Sequence, residues 1–225
     1  IVSDPYGFMQ HVCGLPVTGL LKEGKSYSNY WNERGVVQVD AMRSPLTYMS
    51  EHVILDLQKD EETEKWYRYC KLGIILNYHG HETFNFAGSD FDMDILATTS
   101  NRTMIKGVCQ DELPVVYDAP KPKKIVFAED DLYESDTFSF GSIIGSITNK
   151  SSNGYAKLPL IEKEFGKNSQ EYKLIKSRLQ QCCKAQSAQI DKAKIGQEVK
   201  GIPKVWINRN KIKKNKKGKV IDKHA

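Results

Sequence analysis

Short apolar runs with weak alternation dominate the first half of the chain, and they predict β-strands joined by loops. Residues 36–39, 74–76 and 95–99 are apolar or β-branched, and each is predicted to form a strand. Residues 52–57 fit either a strand or the start of a helix. A helix is predicted from Asp60, because the acidic residues that follow it match the positive end of the helix dipole.

Helical periodicity replaces this pattern in the second half. Apolar residues at 140, 143, 144 and 147 share one helical face, which predicts a helix that begins at Asp136 and ends at residues 151–154. A second helix is predicted over residues 169–190, where apolar residues recur every three to four positions. Before these helices, the apolar residues 113–117 and 125–127 flank a stiff, basic, proline-containing connector.

Three aspartates, Asp90, Asp92 and Asp94, interrupt an otherwise apolar and β-prone segment. Alternate residues of a strand share one face, so the three carboxylates are predicted to lie together and to repel one another unless a cation is present. Oxygen ligands without Cys or His favour Mg²⁺ or Mn²⁺ over zinc, and Gly88 and Ser89 predict a tight turn just before the first carboxylate. A solvated acidic turn and a calcium loop are the alternatives, although the EF-hand pattern is absent.

Three motifs in a fixed order carry a resemblance to a known family. They are the runs Asp40–Pro45, Phe86–Asp94 and Gln186–Gly196. Together they resemble the catalytic double-psi β-barrel of multisubunit-type RNA polymerases, which places an Arg-x-Pro element upstream of an Asp-x-Asp-Gly-Asp loop. The chain looks most like the single-chain relatives, the RNA-silencing RNA-dependent RNA polymerases and the related bacteriophage polymerases. The resemblance covers residues 36–201.

The resemblance implies a nucleotidyltransferase that forms phosphodiester bonds with two metal ions. Asp90, Asp92 and Asp94 would be the catalytic carboxylates that hold Mg²⁺, with Mn²⁺ as an alternative. Arg43 would position the nucleotide sugar, and Lys194 with the helices of residues 136–190 would line the template channel or carry nucleotide-gating elements. The implied partners are a template nucleic acid, ribonucleoside triphosphates, and an upstream lysine-bearing barrel from the same full-length chain or from a partner subunit.

Met93 departs from the family pattern, because the family loop has Gly between its second and third aspartate. Glycine permits backbone conformations that are strained for other residues, so a methionine predicts an ordinary conformation at this position. A second hypothesis therefore stays open, in which the chain is a degenerate, non-catalytic nucleic-acid-binding or structural module.

The overall composition fits a globular α+β protein, and the resemblance specifies a double-psi β-barrel with an inserted helix and a C-terminal helical region. We predict a lead-in segment (1–35), the catalytic barrel (36–130), a helical region (131–191) and a basic extension (192–225). The net charge of +5 conceals an asymmetry, since residues 192–225 contain twelve Lys or Arg and only two acidic residues. A basic extension of this kind is frequent in nucleic-acid enzymes and in disordered solubilising tails.

Five irregularly spaced cysteines without a CxxC pair indicate reduced thiols rather than a zinc site. The reduced thiols and the absence of a signal-like or membrane-spanning apolar segment predict a cytoplasmic location. For a phage-encoded protein this is the host cytoplasm, with packaging in the virion as an alternative. The pair His79 and His81 favours a loop over zinc, because no third ligand is near in sequence. Tyr30 and Trp31 suit either stacking on bases or, more often for large aromatics, packing in the core.

Overall fold

The computed structural model describes residues 1–80, 82–86, 89–110, 112–117, 121, 124, 126, 128–140 and 143–195, without the side chains of residues 139 and 193–195. The chain divides into two compact units, Ile1–Val116 and Tyr117–Ala225. The predicted helical region and basic extension belong to the second unit, and the residues of the predicted lead-in segment belong to the first.

A curled, five-stranded mixed sheet forms the centre of the first unit. Its strands run in the spatial order β4-β1-β3-β2-β5. The pair β1–β3 is parallel, and the other three pairs are antiparallel. The strands are β1 (Lys25–Tyr27), β2 (Gln38–Arg43), β3 (His52–Leu57), β4 (Ile75–Leu76) and β5 (Leu96–Thr99). The mixed α and β content is compatible with the predicted α+β class.

Strand β3 explains why one face of this sheet is buried. Val53, Leu55 and Leu57 alternate with partly exposed residues, so one side of the strand enters the core. On the neighbouring strand β2, Val39 and Ala41 are completely buried in the same hydrophobic cluster. The remaining buried members of this cluster are Ile1, Ile74, Leu76 and Phe86. Strand β1 and Ile1 come from the predicted lead-in segment, which therefore contributes to the sheet and to its core.

Five helices accompany the sheet among the described residues of the first unit: α1 (Pro5–Val12), α2 (Asn29–Asn32), α3 (Glu61–Tyr67), α4 (Glu82–Asn85) and α5 (Arg102–Gly107). Helix α1 begins at Asp4, a buried carboxylate that accepts hydrogen bonds from the amides of Tyr6 and Gly7. The hydroxyl of Tyr67 at the end of α3 donates to the same carboxylate over 2.6 Å. Burial and this hydrogen bond raise the pKa of Tyr67. The carboxylate thereby ties α1 to α3.

The second unit consists of helices among its described residues: α6 (Glu129–Phe140), α7 (Ile144–Phe165) and α8 (Gln170–Ile195). The prediction of a helix beginning at Asp136 is wrong, since this residue lies inside α6. Residues 151–154 do not end a helix either, because Ser151 and Gly154 lie on the buried face of α7. With Ile147 and Leu158 they form a buried row at helical spacing, and small residues in that row let α8 pack closely. The predicted helix at 169–190 is confirmed as α8.

The strand predictions at 36–39, 74–76 and 95–99 are confirmed with boundary shifts of a few residues, and 52–57 is a strand. Before the basic connector, residues 113–117 form no regular element, and residues 125 and 127 after it lie outside the described residues. Throughout the described part of the chain, no helix combines the length and the apolar character that crossing a membrane requires.

Candidate metal centre

The three aspartates lie on a turn and not within a strand, which corrects the strand-based prediction. Residues 91–93 form the turn, and β5 begins only at Leu96. The amide of Asp92 donates to Oδ1 of Asp90 over 3.3 Å, and the amide of Asp90 donates to Oδ2 of Asp94 over 3.1 Å. These hydrogen bonds fold the segment back on itself, so that one oxygen from each carboxylate lies within 4.8 Å of the other two. The convergence predicted from the sequence is therefore present, although a turn produces it.

Met93 occupies the turn with a φ of +85°, the left-handed region that favours glycine. The expectation of an ordinary backbone conformation at this methionine is thus wrong. Its side chain is 76% exposed, so it reaches solvent without displacing the carboxylates. The turn therefore keeps a glycine-like backbone even though a methionine stands in the glycine position of the resembled family.

Arg43 neutralises one of the three carboxylates. Its Nε lies 3.0 Å from Oδ2 of Asp94, and its Nη2 donates to Oδ1 over 3.1 Å, which makes a two-point contact. The antiparallel pairing of β2 with β5 causes this meeting, because Arg43 lies opposite Leu96, two residues after Asp94. Both side chains are less than a quarter exposed, so the pair is screened less than a surface salt bridge. With the guanidinium included, the cluster carries a formal charge of −2 when all carboxylates are ionised.

The donor set fits a hard divalent cation. All three donors are carboxylate oxygens, the ligands preferred by Mg²⁺ and Mn²⁺. Two oxygens bound to one Mg²⁺ at about 2.1 Å are separated by at most about 4.2 Å. One oxygen from each of the three carboxylates lies within 4.8 Å of the other two, which is close to this separation. Asp90 and Asp92 are exposed and lie on the open side of the turn, whereas Asp94 is held by Arg43.

Two cavities border the turn. The larger one, of about 650 Å³, is lined by Arg43, Ser44, Leu46, Asp92 and Asp94, with Met42 and residues 93 and 95–97 completing its wall. It brings a cationic side chain and two carboxylates to one concave surface, which suits a ligand that carries phosphates and a metal ion.

The second cavity, of about 320 Å³, has an aromatic wall made by Tyr30 and Trp31. Trp31 packs against the main hydrophobic cluster, and its indole nitrogen donates to Thr98 over 3.1 Å. Tyr30 is 45% exposed, and the guanidinium of Arg34 lies 3.6 Å from the centre of its ring. The predicted packing role is therefore confirmed for Trp31. Stacking on bases stays a prediction for Tyr30.

Several predicted site residues fall outside this cluster. Lys194 belongs to α8 in the second unit, but its side chain is not among the described ones. Gly88 before the turn, Gly196 in the downstream motif and the basic residues from 196 onward also lie outside the described residues. Sequence reasoning missed the buried pair formed by Asp40 and His52, because these residues are distant in sequence and only strand register brings them together.

Neither protein-family models nor curated proteins give a match to this chain. Inference about its function therefore starts from the carboxylate cluster, Arg43 and the surrounding cavities.

Proposed function

We propose that this chain is the catalytic-barrel portion of a phage-type, single-chain RNA polymerase, and that its curled sheet belongs to a double-psi β-barrel. The observation that carries the proposal is the convergence of Asp90, Asp92 and Asp94 on a tight turn beside Arg43. The order of the Arg43 motif, the aspartate loop and the Lys194 motif in the sequence adds to it. The left-handed conformation of Met93 supports it further, because that conformation explains why glycine stands there in the resembled family.

The carboxylates and Arg43 have distinct parts in the proposed reaction. Bound Mg²⁺ would activate the 3′-hydroxyl of the growing RNA and stabilise charge on the α-phosphate of the incoming nucleotide. Asp90 and Asp92 would hold the metal through the exposed side of the turn. Asp94 would orient the turn by accepting a hydrogen bond from the amide of Asp90. It would also hold the guanidinium of Arg43 in place through the two-point contact. Arg43 would face the nucleotide from the wall of the larger cavity.

The proposed partners follow from the same assignment. Ribonucleoside triphosphates would enter the cavity beside Arg43, and a DNA or RNA template would supply the base sequence. An upstream barrel, from the same full-length chain or from a partner subunit, would contribute the lysines that the phosphates require. The basic residues of 192–225 would contact the nucleic-acid backbone, because twelve cations and only two acidic residues favour a polyanion.

The test is RNA extension by the chain purified together with its upstream barrel, with Mg²⁺ and ribonucleotides. Asp92→Ala is expected to lower the extension rate at least about 100-fold, since the metal supplies several kcal/mol of transition-state stabilisation. Asp56→Ala is the matched control, because it also removes one carboxylate of the first unit, but Asp56 lies on β3 away from the turn, where it pairs with Lys25. An extension rate that is unchanged by Asp92→Ala contradicts the proposal.

A second candidate function is a non-catalytic nucleic-acid-binding or structural module that keeps the barrel. Two observations favour it: methionine occupies the glycine position of the turn, and Arg43 already supplies a positive charge to Asp94. The same extension assay separates the candidates. A wild-type protein without activity that gains extension in the Met93→Gly variant supports degeneration, and an active wild-type protein excludes it.

A further inference from the structure

A second polar cavity, of about 330 Å³, lies in the first unit, and the aspartate turn does not contribute to it. The beginning of β3 forms one wall with Ser50 and His52. The segments around His79 and Glu82 and around Cys109 and Glu112 form the others. Imidazole, carboxylate and thiol groups thus line one concave surface, although they come from distant parts of the sequence.

His52 is oriented by a buried carboxylate behind it. Its Nε2 lies 2.5 Å from Oδ1 of Asp40, a residue with no exposed surface. Within the described part of the chain, neither oxygen of Asp40 accepts a well-aligned hydrogen bond. The close contact with His52 is therefore the main interaction that offsets the free-energy cost of burying this carboxylate. A carboxylate oxygen at that distance requires a proton on Nε2, which leaves Nδ1 of His52 as the ring nitrogen that is able to bind a ligand.

His79 is oriented in the same way by a different acceptor. Its Nε2 lies 3.1 Å from the carbonyl oxygen of Thr18, and a carbonyl only accepts. Nε2 therefore carries the proton, and Nδ1 keeps its lone pair when the ring is neutral. Metal-binding histidines in proteins typically donate their second ring N–H to a carboxylate or a backbone carbonyl, and the two histidines of this cavity show one case of each.

Two further observations point to a ligand. Ser50 is 3% exposed, and its hydroxyl finds no hydrogen-bond partner among the described residues although it borders the cavity. The carboxylate of Glu82 is held by the amide of Asn77 over 3.2 Å, and that of Glu112 accepts from the hydroxyl of Tyr48 over 3.2 Å. Both carboxylates are therefore placed at the wall of the cavity by a hydrogen bond.

We propose that this cavity binds a divalent transition-metal ion of the Zn²⁺ or Co²⁺ type through Nδ1 of His52 and of His79 and one carboxylate, from Glu82 or Glu112. Two imidazoles and a carboxylate are a donor set for these ions and a poor one for Mg²⁺. Among the described residues, three donor atoms lie within 4.8 Å of one another only at the aspartate turn. Binding therefore draws the exposed His79 and a carboxylate toward His52, and Asp40 supports the bound imidazole from behind.

Cobalt titration of the full chain tests the proposal, because Co²⁺ bound by imidazole absorbs visible light. The titration is made in millimolar Mg²⁺ on the Asp90→Asn, Asp92→Asn double variant, which removes the other candidate site. One equivalent of Co²⁺ is expected to bind. His79→Ala and His52→Ala are each expected to weaken binding at least tenfold, and Asp40→Asn about 10- to 100-fold. His11→Ala is the matched control, because this exposed histidine lies on α1 outside the cavity.

Three results would overturn the proposal: no Co²⁺ binding by the double variant, unchanged affinity in His79→Ala, or an equal loss in His11→Ala. His52 contacts a buried carboxylate, so His52→Ala also perturbs the fold, and circular dichroism is recorded for every variant. His79 is exposed, and its replacement leaves the core intact. The His79→Ala result therefore decides the question even if His52→Ala does not fold.

Discussion

The strained backbone at Met93 leads to a prediction about stability. A non-glycine residue in the left-handed region costs about 1–2 kcal/mol, and Met93→Gly removes that cost. The substitution also loses the quarter of the side chain that is buried, worth about 0.5 kcal/mol, and it gives the unfolded chain about 0.4–1 kcal/mol of additional entropy. These contributions nearly cancel. The free energy of unfolding is therefore expected to change by between about −0.5 and about +1 kcal/mol.

Urea unfolding followed by tryptophan fluorescence measures this change, and Met9→Gly is the matched control. Met9 is likewise exposed, although less so than Met93, but it lies inside helix α1, where the change from Met to Gly is expected to cost about 1 kcal/mol or more. Met93→Val should also destabilise, because a β-branched side chain tolerates a positive φ poorly. Equal losses in Met93→Gly and Met9→Gly would refute the proposed strain, and so would a Val variant as stable as the Gly variant.

Two other predictions concern charged groups in the first unit. Arg43→Gln is expected to tighten Mn²⁺ binding measured by calorimetry, because one positive charge leaves the cluster, and to cost about 1 kcal/mol of stability without metal. Lys71→Gln breaks an exposed pair with Glu33 and should change neither the affinity nor the stability. Weaker Mn²⁺ binding in Arg43→Gln would contradict the argument. Asp60 is the N-cap of α3, and its partial burial raises its pKa less than the hydrogen bonds from Thr63 and Gln58 lower it. Because the folded pKa lies below the unfolded one, this stabilisation is present above pH 4 or so and is lost as the pH falls through the folded pKa. Urea unfolding should therefore show Asp60→Ala costing about 1 kcal/mol at pH 7 and less near pH 2, and an equal cost at both pH values would be the contrary result.

Local chemistry made the strands and α3 predictable. The short apolar runs at β2, β4 and β5 and the acidic N-terminus of α3 are short-range patterns that predict those elements. The run at 52–57 fitted either a strand or the start of a helix, and the structure shows the strand β3. The extent of α7 was not predictable in this way, because Ser151 and Gly154 are weak helix formers that the sequence pattern treats as a stop. Packing of α7 against α8 overrides that preference, since the two small residues belong to the buried row.

The candidate sites show the same division. The spacing of Asp90, Asp92 and Asp94 was enough to predict that their carboxylates converge, because five consecutive residues cannot carry them far apart. The partner of Asp94 could not be inferred from spacing alone, since Arg43 reaches it only through the register of β2 against β5. The contact between Asp40 and His52 also depends on strand register and could not be inferred from sequence spacing. They are diagonal neighbours across the β2–β3 pair, in which Met42 lies opposite His52 and Asp40 lies opposite Ile54.

Strand β2 consequently connects the two candidate metal sites of the first unit. Its end carries Arg43 to the aspartate turn, and three residues earlier Asp40 points to the opposite side and supports His52. Residues three apart on a strand face opposite sides, so a one-residue slip of β2 would remove both contacts at once and take Val39 and Ala41 out of the hydrophobic cluster. The apolar burial that fixes the register of β2 therefore also fixes the charge placed at each site.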